Sequence, residues 1–199
     1  MTEKELIQAA RKGDDSAFEE LVRAYEKRVY HLALRMCGNA DDAYEIAQEA
    51  FLGAWKGMRF FRGDSSFSTW IYRLTSNAAI DFLRRQRRQG GGDNVSLDDE
   101  DTFLEVADTA PSPHQRAEGM ELRQALAKGL LSLSAEHRQV LLLRELQGLT
   151  YEEIAASLDL DLGTVKSRIA RGREKLRKYL VNSGNFSGYL PSNLAEKEG

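Results

Sequence analysis

Residues 150–180 read TYEEIAASLDLDLGTVKSRIARGREKLRKYL, a stretch that predicts two helices joined by a short turn. Thr150 and Glu153 have the spacing of a capping box, which starts a short helix predicted over residues 151–158. After a four-residue turn, a second helix is predicted over residues 163–180. Two helices with so short a connection are typical of a DNA-binding helix-turn-helix, whose second helix enters the major groove.

The second of these helices has an apolar face and a basic face. Val165, Ile169 and Leu176 share the apolar face, and Gly172 lies among them. A glycine in mid-helix costs about 1 kcal/mol relative to alanine, so a close helix crossing is expected at Gly172. Arginine can read guanine bidentately, whereas lysine and serine can hold phosphates. The candidate DNA-binding residues are Thr164, Lys166, Ser167, Ala170, Arg171, Arg173, Glu174 and Lys178. A solvated basic helix that closes a small bundle is the alternative interpretation.

The first ninety residues predict four further helices, because apolar residues recur there at helical spacing. Their predicted bounds are 4–12, 16–37, 41–58 and 67–88. Ser16 and Glu19 have the spacing of a capping box, and Gly38 favours a left-handed helix end. Trp70 falls in the apolar stripe of the fourth helix, which favours a place in the core.

A glycine-rich and acidic stretch separates the two helical groups. Residues 93–108 contain seven acids and no base, which predicts a flexible linker. Two more helices are predicted beyond it, over residues 114–131 and 135–147. The sequence therefore predicts an all-α protein of two small helical domains joined by a flexible acidic linker. The predicted bounds are 1–89 for the first domain, 90–113 for the linker, 114–181 for the second domain and 182–199 for a loose tail.

The composition argues against several classes of protein. The 199 residues are 42% hydrophobic and 30% charged, and leucine and alanine far outnumber valine and isoleucine, which favours helices. No apolar run approaches the roughly 20 residues of a membrane span, and the charged start argues against a signal peptide. We therefore expect a cytoplasmic protein without membrane insertion. One cysteine and three scattered histidines predict neither a disulfide nor a metal site. Because the sequence has no nucleophile motif or phosphate-binding loop, we expect no catalytic residue, no cofactor and no enzyme activity.

The net charge of −3 conceals strongly basic blocks. Residues 59–88 contain seven arginines and two aspartates, and residues 163–178 contain seven lysines or arginines and one glutamate. Since a nucleic-acid contact depends on local charge, both blocks remain candidates for binding a polyanion.

Several motifs, in order along the chain, resemble those of one protein family. DAYEIAQEAFLGAW (42–55), FRGDSSFSTWIYRL (61–74) and NAAID (77–81) resemble sigma region 2. LTYEEIAA (149–156), GTVKSRI (163–169) and RGREKLR (171–177) resemble sigma region 4. Over about residues 16–180 the chain therefore resembles an extracytoplasmic-function (ECF, group IV) sigma factor of bacterial RNA polymerase.

The resemblance implies that region 2 binds the β′ clamp helices of the polymerase core and that region 4 contacts the β flap. The residues that match the clamp-binding motif are Asp42, Glu45, Gln48, Glu49 and Leu52. One stripe beside the apolar stripe of this helix is formed by Glu45, Gln48, Glu49 and Leu52. An acidic stripe with an exposed leucine suits a partner helix that carries basic residues. An ordinary solvated helix face is the alternative.

The resemblance also implies that the helix predicted over residues 67–88 binds the promoter −10 element, and that the helix-turn-helix binds the −35 element. The expected −10 residues are Phe61, Arg62, Phe67, Arg73, Asn77, Ile80 and Arg84. The last four are spaced to form a stripe on the face away from the core. Asn77 matches the position near a base flipped from the non-template strand, and residues 61–67 match the loop that closes over it.

Together these expectations describe a dissociable sigma factor that directs RNA polymerase core to promoters, in a stress or envelope response. An anti-sigma factor is a further partner implied by the resemblance. A stand-alone helix-turn-helix regulator that binds duplex DNA as a dimer is the first alternative, and it would need a dimer seam and a sensor pocket. A helical adaptor that binds only protein is the second, and it leaves the basic face of the last helix unexplained.

Overall fold

Helices and the turns between them make up the described part of the chain. The computed structural model describes residues 1–90 and 113–183, with side chains for 1–90 and 120–183. The elements are α1 (Glu3–Arg11), α2 (Asp15–Cys37), α3 (Ala40–Gly57), a 3₁₀ turn (Met58–Phe60), α4 (Phe67–Arg88), α5 (Pro113–Leu131), α6 (Ala135–Glu145), α7 (Tyr151–Leu158) and α8 (Leu162–Asn182). No strand occurs in the two described ranges, and the predicted all-α fold is confirmed there. Most of the predicted linker (90–113) and tail (182–199) lies outside the described residues.

Helices α1–α4 form the first helical unit, in which α2, α3 and α4 pack on one another. The apolar stripes predicted for these helices supply its core, and Leu21, Ile46 and Ile71 are each 0% exposed. Tyr25 of α2 attaches α1, because its hydroxyl donates a hydrogen bond to Glu3 Oε2 at 2.7 Å. Burial and this hydrogen bond both raise the pKa of the Tyr25 phenol.

The ends of the first helices follow their capping side chains, with one correction. Helix α2 begins earlier than predicted, because Asp14 is its N-cap and its carboxylate accepts a backbone N–H at 3.1 Å. The predicted capping box of Ser16 and Glu19 is wrong, since Ser16 already lies inside the helix. Helix α2 ends as predicted at Gly38, which has a left-handed φ of +78°. Asn39 then caps α3.

Helices α5–α8 form the second helical unit. Leu142 of α6, Ile154 of α7 and Ile169 of α8 are 2% exposed or less. Gly172 lies where α8 crosses α6, since a Cβ added to it would be 2.9 Å from Leu141 Cδ1. The close crossing predicted at Gly172 is confirmed.

The two units are in direct contact around the end of α2. Arg138 of α6 is 5% exposed, and its guanidinium donates to the carbonyl of Met36 in α2 and, at 2.9 Å, to that of Leu130 in α5. A cation near the last carbonyls of a helix is favourable, because these groups lack partners within the helix. Leu131 packs so closely on Gly38 that a Cβ there would lie 2.7 Å from Leu131 Cδ1.

Helix α4 has the predicted bounds, yet more of its surface is buried than its apolar stripe alone. Thr75, Ser76 and Ala79 are each 0% exposed, and Ile80 is 7% exposed. The placement of Ile80 on a stripe facing away from the core is therefore wrong. Helices α6 and α7 contact α4, a tertiary packing that helical periodicity does not predict.

Candidate protein-binding and nucleic-acid interfaces

Capping residues fix the geometry of the α7–α8 helix-turn-helix. The predicted capping box is present: the Glu153 N–H donates to Thr150 Oγ1 at 3.1 Å, and the Thr150 N–H donates to Glu153 Oε2 at 2.8 Å. Asp159 ends α7 in the left-handed region, with φ +52°. Asp161 caps α8, and the hydroxyl and backbone N–H of Thr164 lower the pKa of its carboxyl. The turn is one residue shorter than predicted, because α8 begins at Leu162.

Seven of the eight predicted DNA contacts on α8 are exposed. They are Lys166, Ser167, Ala170, Arg171, Arg173, Glu174 and Lys178. Glu174 accepts from Arg177 at 3.0 Å and lies 3.6 Å from Lys178, and these cations lower the pKa of its carboxyl. No salt bridge within the described residues engages Arg171, so its guanidinium is available to an acceptor outside the chain.

Two of the eight, the partly buried Thr164 and the exposed Arg173, are engaged by acids of other positions in the chain. The Thr164 hydroxyl donates to the carboxylate of Asp161. The Arg173 guanidinium donates to Glu145 Oε1 of α6, from Nε at 3.1 Å and from Nη2 at 2.5 Å, and this raises its pKa. Sequence reasoning missed Glu145 because it lies on another helix, 28 residues away.

The aromatic residues predicted at the −10 site form a buried wall. Phe67 is 1% exposed and Phe61 is 8% exposed. The Phe61 ring lies against Trp70 with their centroids 4.8 Å apart and an interplanar angle of 30°. Trp70 is 8% exposed, so its predicted place in the core is confirmed.

Above this wall, a cleft of about 290 Å³ lies between the loop before α4 and α4 itself. Arg62, Asp64 and Ser65 line its polar side, and Arg73 of α4 lies opposite. Phe60 stands at the cleft with 81% of its surface exposed. Sequence reasoning missed Phe60, although two adjacent phenylalanines would have been a signal, since neighbours rarely share one core face. A polar cleft beside an aromatic ring suits the edge and face of an unstacked base.

Asn77 and Arg84, the remaining predicted −10 residues, are exposed on α4. Arg84 Nη1 lies 3.6 Å from Asp81 on the same helix. Asn77 Oδ1 accepts a hydrogen bond from Gln139 Nε2 of α6 at 3.1 Å. Gln139 was not among the sequence candidates, and its contact with Asn77 joins the two helical units.

An open groove of about 520 Å³ runs between α2 and α3, beside the predicted acidic stripe. Gln48 and Leu52 of the stripe line it, and Leu52 is 57% exposed. Tyr44, which is 60% exposed, and Tyr30 of α2 form an aromatic pair at the groove with centroids 4.5 Å apart. The sequence predicted the stripe but missed this pair. Tyr44 could have been found as an aromatic residue that lies off the apolar stripe of α3.

Two acids of the predicted clamp-binding motif contact the last turns of α4. Glu49 Oε2 lies 2.9 Å from Arg85 Nη2, and Asp42 Oδ2 lies 3.5 Å from Gln86 Nε2. Burial, together with the negative charge of Glu45, raises the pKa of the Asp42 carboxyl. The acidic stripe of α3 is therefore joined to the basic end of the helix that carries Asn77.

Neither described range holds a helix that is both long and apolar enough to span a membrane. The same ranges hold no group of three or more His, Cys, Asp or Glu residues placed to bind a metal ion. Cys37 is buried, and burial raises the pKa of its thiol to about 11, which disfavours the reactive thiolate.

Comparisons with known proteins agree with the sequence motifs. A family model of sigma-70 region 2 matches residues 21–89, and one of sigma-70 region 4 matches residues 123–176. The chain is 37% identical over 178 residues to the ECF RNA polymerase sigma-E factor of Escherichia coli K12, covering 88% of this chain and 93% of the relative. It is 35% identical over 184 residues to the ECF RNA polymerase sigma factor SigW of Bacillus subtilis, covering 89% and 96%. The solved structure of CnrH with the cytosolic domain of CnrY shares the fold, at a TM-score of 0.62 and 24% identity, over 90% of this chain and 96% of that one.

Proposed function

Because this chain belongs to the ECF RNA polymerase sigma factors, we propose that it contacts polymerase and promoter through three separate surfaces. The chain is a sigma factor, which directs RNA polymerase core to promoters. One observation supports the assignment of surfaces: an apolar groove beside an acidic stripe, a polar cleft beside an aromatic ring, and a helix-turn-helix lie on different elements of one chain. We infer that the polymerase performs the chemistry, in the bacterial cytoplasm, and that this chain contributes by binding polymerase and promoter.

The first surface is the α2–α3 groove, which binds a helix of the β′ clamp. Leu52 and Tyr44 present apolar area, and burying it would contribute about 25 cal/mol per Å². Glu45 and Glu49 add charge that suits basic residues on the partner helix and orients it in the groove. Asp42 and Gln48 extend this clamp-binding surface. A separate contact, between the second helical unit and the β flap, completes the binding of polymerase core.

The second surface is the cleft before α4, which takes the −10 element. Asn77 reads a base edge, because its amide can both donate and accept a hydrogen bond. Arg62, Arg73 and Arg84 neutralise phosphates along the strand. Phe61 lines the cleft beside Trp70, and Phe67 packs on both rings from the core. We propose that Ile80 acts from the buried side of α4.

The third surface is the exposed face of α8, which reads the −35 element in the major groove. Arg171 contacts a base edge, and Lys178 holds the phosphate backbone. Lys166, Ser167, Ala170 and Glu174 complete this exposed face, with Thr164 and Arg173 at its edges.

A protein that covers these surfaces would inhibit the sigma factor. We propose an anti-sigma factor as a further partner, and a stress or envelope response as the setting. CnrH, which shares the fold, was solved with the cytosolic domain of CnrY, which is consistent with a protein partner for this fold.

The test of the polymerase surface is binding of the full chain to purified polymerase core. Glu45→Lys on α3 is compared with Glu19→Lys on α2, where Glu19 is an exposed acid with a 67% exposed side chain. Glu45→Lys is expected to weaken core binding about tenfold, and Glu19→Lys to leave it unchanged. Equal affinities for the two variants would contradict the assignment of the groove.

The test of the −10 surface is promoter melting by the reconstituted holoenzyme. Asn77→Ala is expected to reduce permanganate reactivity at the start region while leaving −35 duplex binding intact. Asn182→Ala, at the far end of α8, is the matched control. Unchanged melting by Asn77→Ala would remove that residue from the −10 site.

The stand-alone regulator is not favoured. It predicts a dimer that binds duplex DNA and does not bind polymerase core, so co-elution with core followed by run-off transcription separates the two functions.

A further inference from the structure

Exposed cations lie beside the ring of Phe60, where α1 meets the 3₁₀ turn of the first helical unit. Arg11 is the last residue of α1, Lys12 is its C-cap, and Arg59 belongs to the turn. A Cβ added to Gly13 would lie 3.9 Å from Arg59 Nη2, so this guanidinium reaches the residue that follows Lys12. We call Arg11, Lys12 and Arg59 the basic edge, and all three are exposed.

The cations of the basic edge are not paired within the described part of the chain. No salt bridge joins any of them to an acid in residues 1–90 or 120–183. The neighbouring acids are Asp14 and Asp15, and the Asp14 carboxylate is occupied, because it accepts the Ala17 N–H as the N-cap of α2. Three cations against these two acids leave the edge positive, so it can attract an anionic partner from outside the chain.

The basic edge continues the candidate −10 cleft past Phe60. This ring follows Arg59 directly, is 81% exposed and stands at the cleft, which Arg62 also lines. An exposed ring between cations suits single-stranded nucleic acid, because a base can stack on the ring while its phosphates contact the cations. Such binding tolerates any sequence, since every base has a stacking face.

The two ends of the proposed −10 surface suit different forms of DNA. The last turns of α4 are rich in arginine, and Arg84 lies about 10 Å further along the helix axis than Asn77. This end suits the duplex, whose charge density is higher than that of a single strand. The basic edge lies at the other end, beyond the cleft. It is therefore placed for the melted strand, which leaves the −10 element toward the start of transcription.

We propose that the basic edge and Phe60 bind the non-template strand just downstream of the −10 element. The inference rests on the proposed binding of that element by the cleft and α4. Arg11 and Arg59 contact phosphates, and Phe60 stacks on a base between them and the cleft. Binding there holds the melted strand away from its complement, so it stabilises the open promoter whatever the sequence of the start region.

The test compares two single-stranded oligonucleotides that bind the reconstituted holoenzyme. The short one carries the non-template −10 element alone, and the long one carries about six further thymidines at its 3′ end. The unsubstituted chain is expected to bind the long oligonucleotide more tightly. Arg59→Gln removes one charge and is expected to lose about fivefold in affinity for the long oligonucleotide at about 0.1 M salt. It is expected to bind the short one unchanged.

The salt dependence identifies the lost contact. Each phosphate contact on a single strand contributes about 0.7 to the slope of log affinity against log salt, which gives the fivefold effect at about 0.1 M. Arg59→Gln and Arg11→Gln are each expected to lower the slope for the long oligonucleotide by about 0.7. Arg59→Lys keeps the charge and is expected to keep the slope.

Lys27→Gln on α2 is the matched control. Lys27 is also an exposed cation, but it lies about 18 Å along α2 from the first residue of that helix. Its substitution is expected to leave both affinities and both slopes unchanged. Thermal melts of the free variants are expected to coincide, because every substituted side chain is exposed.

Equal affinities of Arg59→Gln and Lys27→Gln for the long oligonucleotide would overturn the proposal. So would weaker binding of polymerase core by Arg59→Gln with an unchanged ratio between the two oligonucleotides, which would assign the basic edge to a protein partner. The −10 assignment fails separately. If Asn77→Ala binds the short oligonucleotide normally while Arg59→Gln still lowers the ratio, the −10 role of Asn77 is lost and the basic edge stands.

Discussion

Two arginines of α8, two residues apart, should differ sharply in what they contribute. Successive residues of an α-helix are rotated by about 100°. Ile169 is 1% exposed and marks the buried side of α8. Arg171 lies about 200° from it, on the opposite face, whereas Arg173 lies only about 40° from it. The sequence assigned both arginines to DNA, but Arg173 is paired with Glu145.

We therefore expect Arg171→Ala to weaken binding of the holoenzyme to its −35 duplex by about 1–3 kcal/mol, or roughly 5- to 150-fold. Its free energy of unfolding should stay within about 0.5 kcal/mol, because Arg171 is exposed. Arg173→Ala should lower the free energy of unfolding by about 0.2–1 kcal/mol, the range of an exposed ion pair. Its preference for the correct duplex should remain.

The assay is a titration of reconstituted holoenzyme on the preferred −35 duplex and on a scrambled duplex, at several salt concentrations. Urea unfolding of each free variant gives the stability. The reasoning is refuted if Arg173→Ala loses as much preference between the duplexes as Arg171→Ala. In that case α8 would not lie in the groove with the face opposite Ile169.

Three further predictions concern positions with distinct surroundings. Gly53→Ala should stabilise the chain by about 1 kcal/mol, because a Cβ there meets no atom within 4 Å and alanine favours the helix. Urea unfolding measures this change, and a lower free energy of unfolding would show that position 53 has no room for the added Cβ. Phe60→Ala should weaken binding of the −10 strand by the holoenzyme by about 1–3 kcal/mol, because its exposed ring would stack on a base. Phe60→Trp should keep the affinity of the unsubstituted chain, and equal affinities for both variants and the unsubstituted chain would exclude stacking. Burial and the positive charge of Lys175 lower the pKa of the His137 imidazole. The unfolded chain therefore takes up a proton at His137 more readily than the folded chain, and the free energy of unfolding falls as the pH drops through about 6.5. Between pH 7.5 and about 5.5, the melting temperature of His137→Gln should fall less steeply than that of the unsubstituted chain. Equal slopes for the two proteins would show that His137 does not cause this pH dependence.

The parts of the fold that local chemistry decides were predictable from the sequence. Helix α4 has the predicted bounds, because Ser66 caps it and no helix breaker follows before Gly90. The capping box of Thr150 and Glu153 is another such feature, since both partners lie within one turn. The cap of α2 was misjudged because Asp14, Asp15 and Ser16 are all capping residue types, and spacing alone chose the wrong one.

The parts that depend on distant contacts were not predictable. Gln139 meets Asn77 across 62 residues of sequence, and Arg138 reaches Met36 across 102. Nothing in helical spacing marks a glutamine or an arginine as buried, because both residue types are usually exposed. The burial of Ile80 was missed for another reason: the sequence pattern assigned α4 one apolar face, whereas α6 and α7 pack on a second face of that helix.

The glycine at the end of α2 meets two structural requirements at the same position. Asparagine tolerates a left-handed backbone well enough to end a helix, so the turn alone would accept it at position 38. Its Cβ would nevertheless lie 2.7 Å from Leu131 Cδ1, so this side chain of the other helical unit would have to shift. The missing Cβ at position 38 therefore matters both for the left-handed end of α2 and for the contact with Leu131. In an engineered sigma factor, position 38 is therefore a place to tune how tightly the units associate without altering any proposed DNA contact.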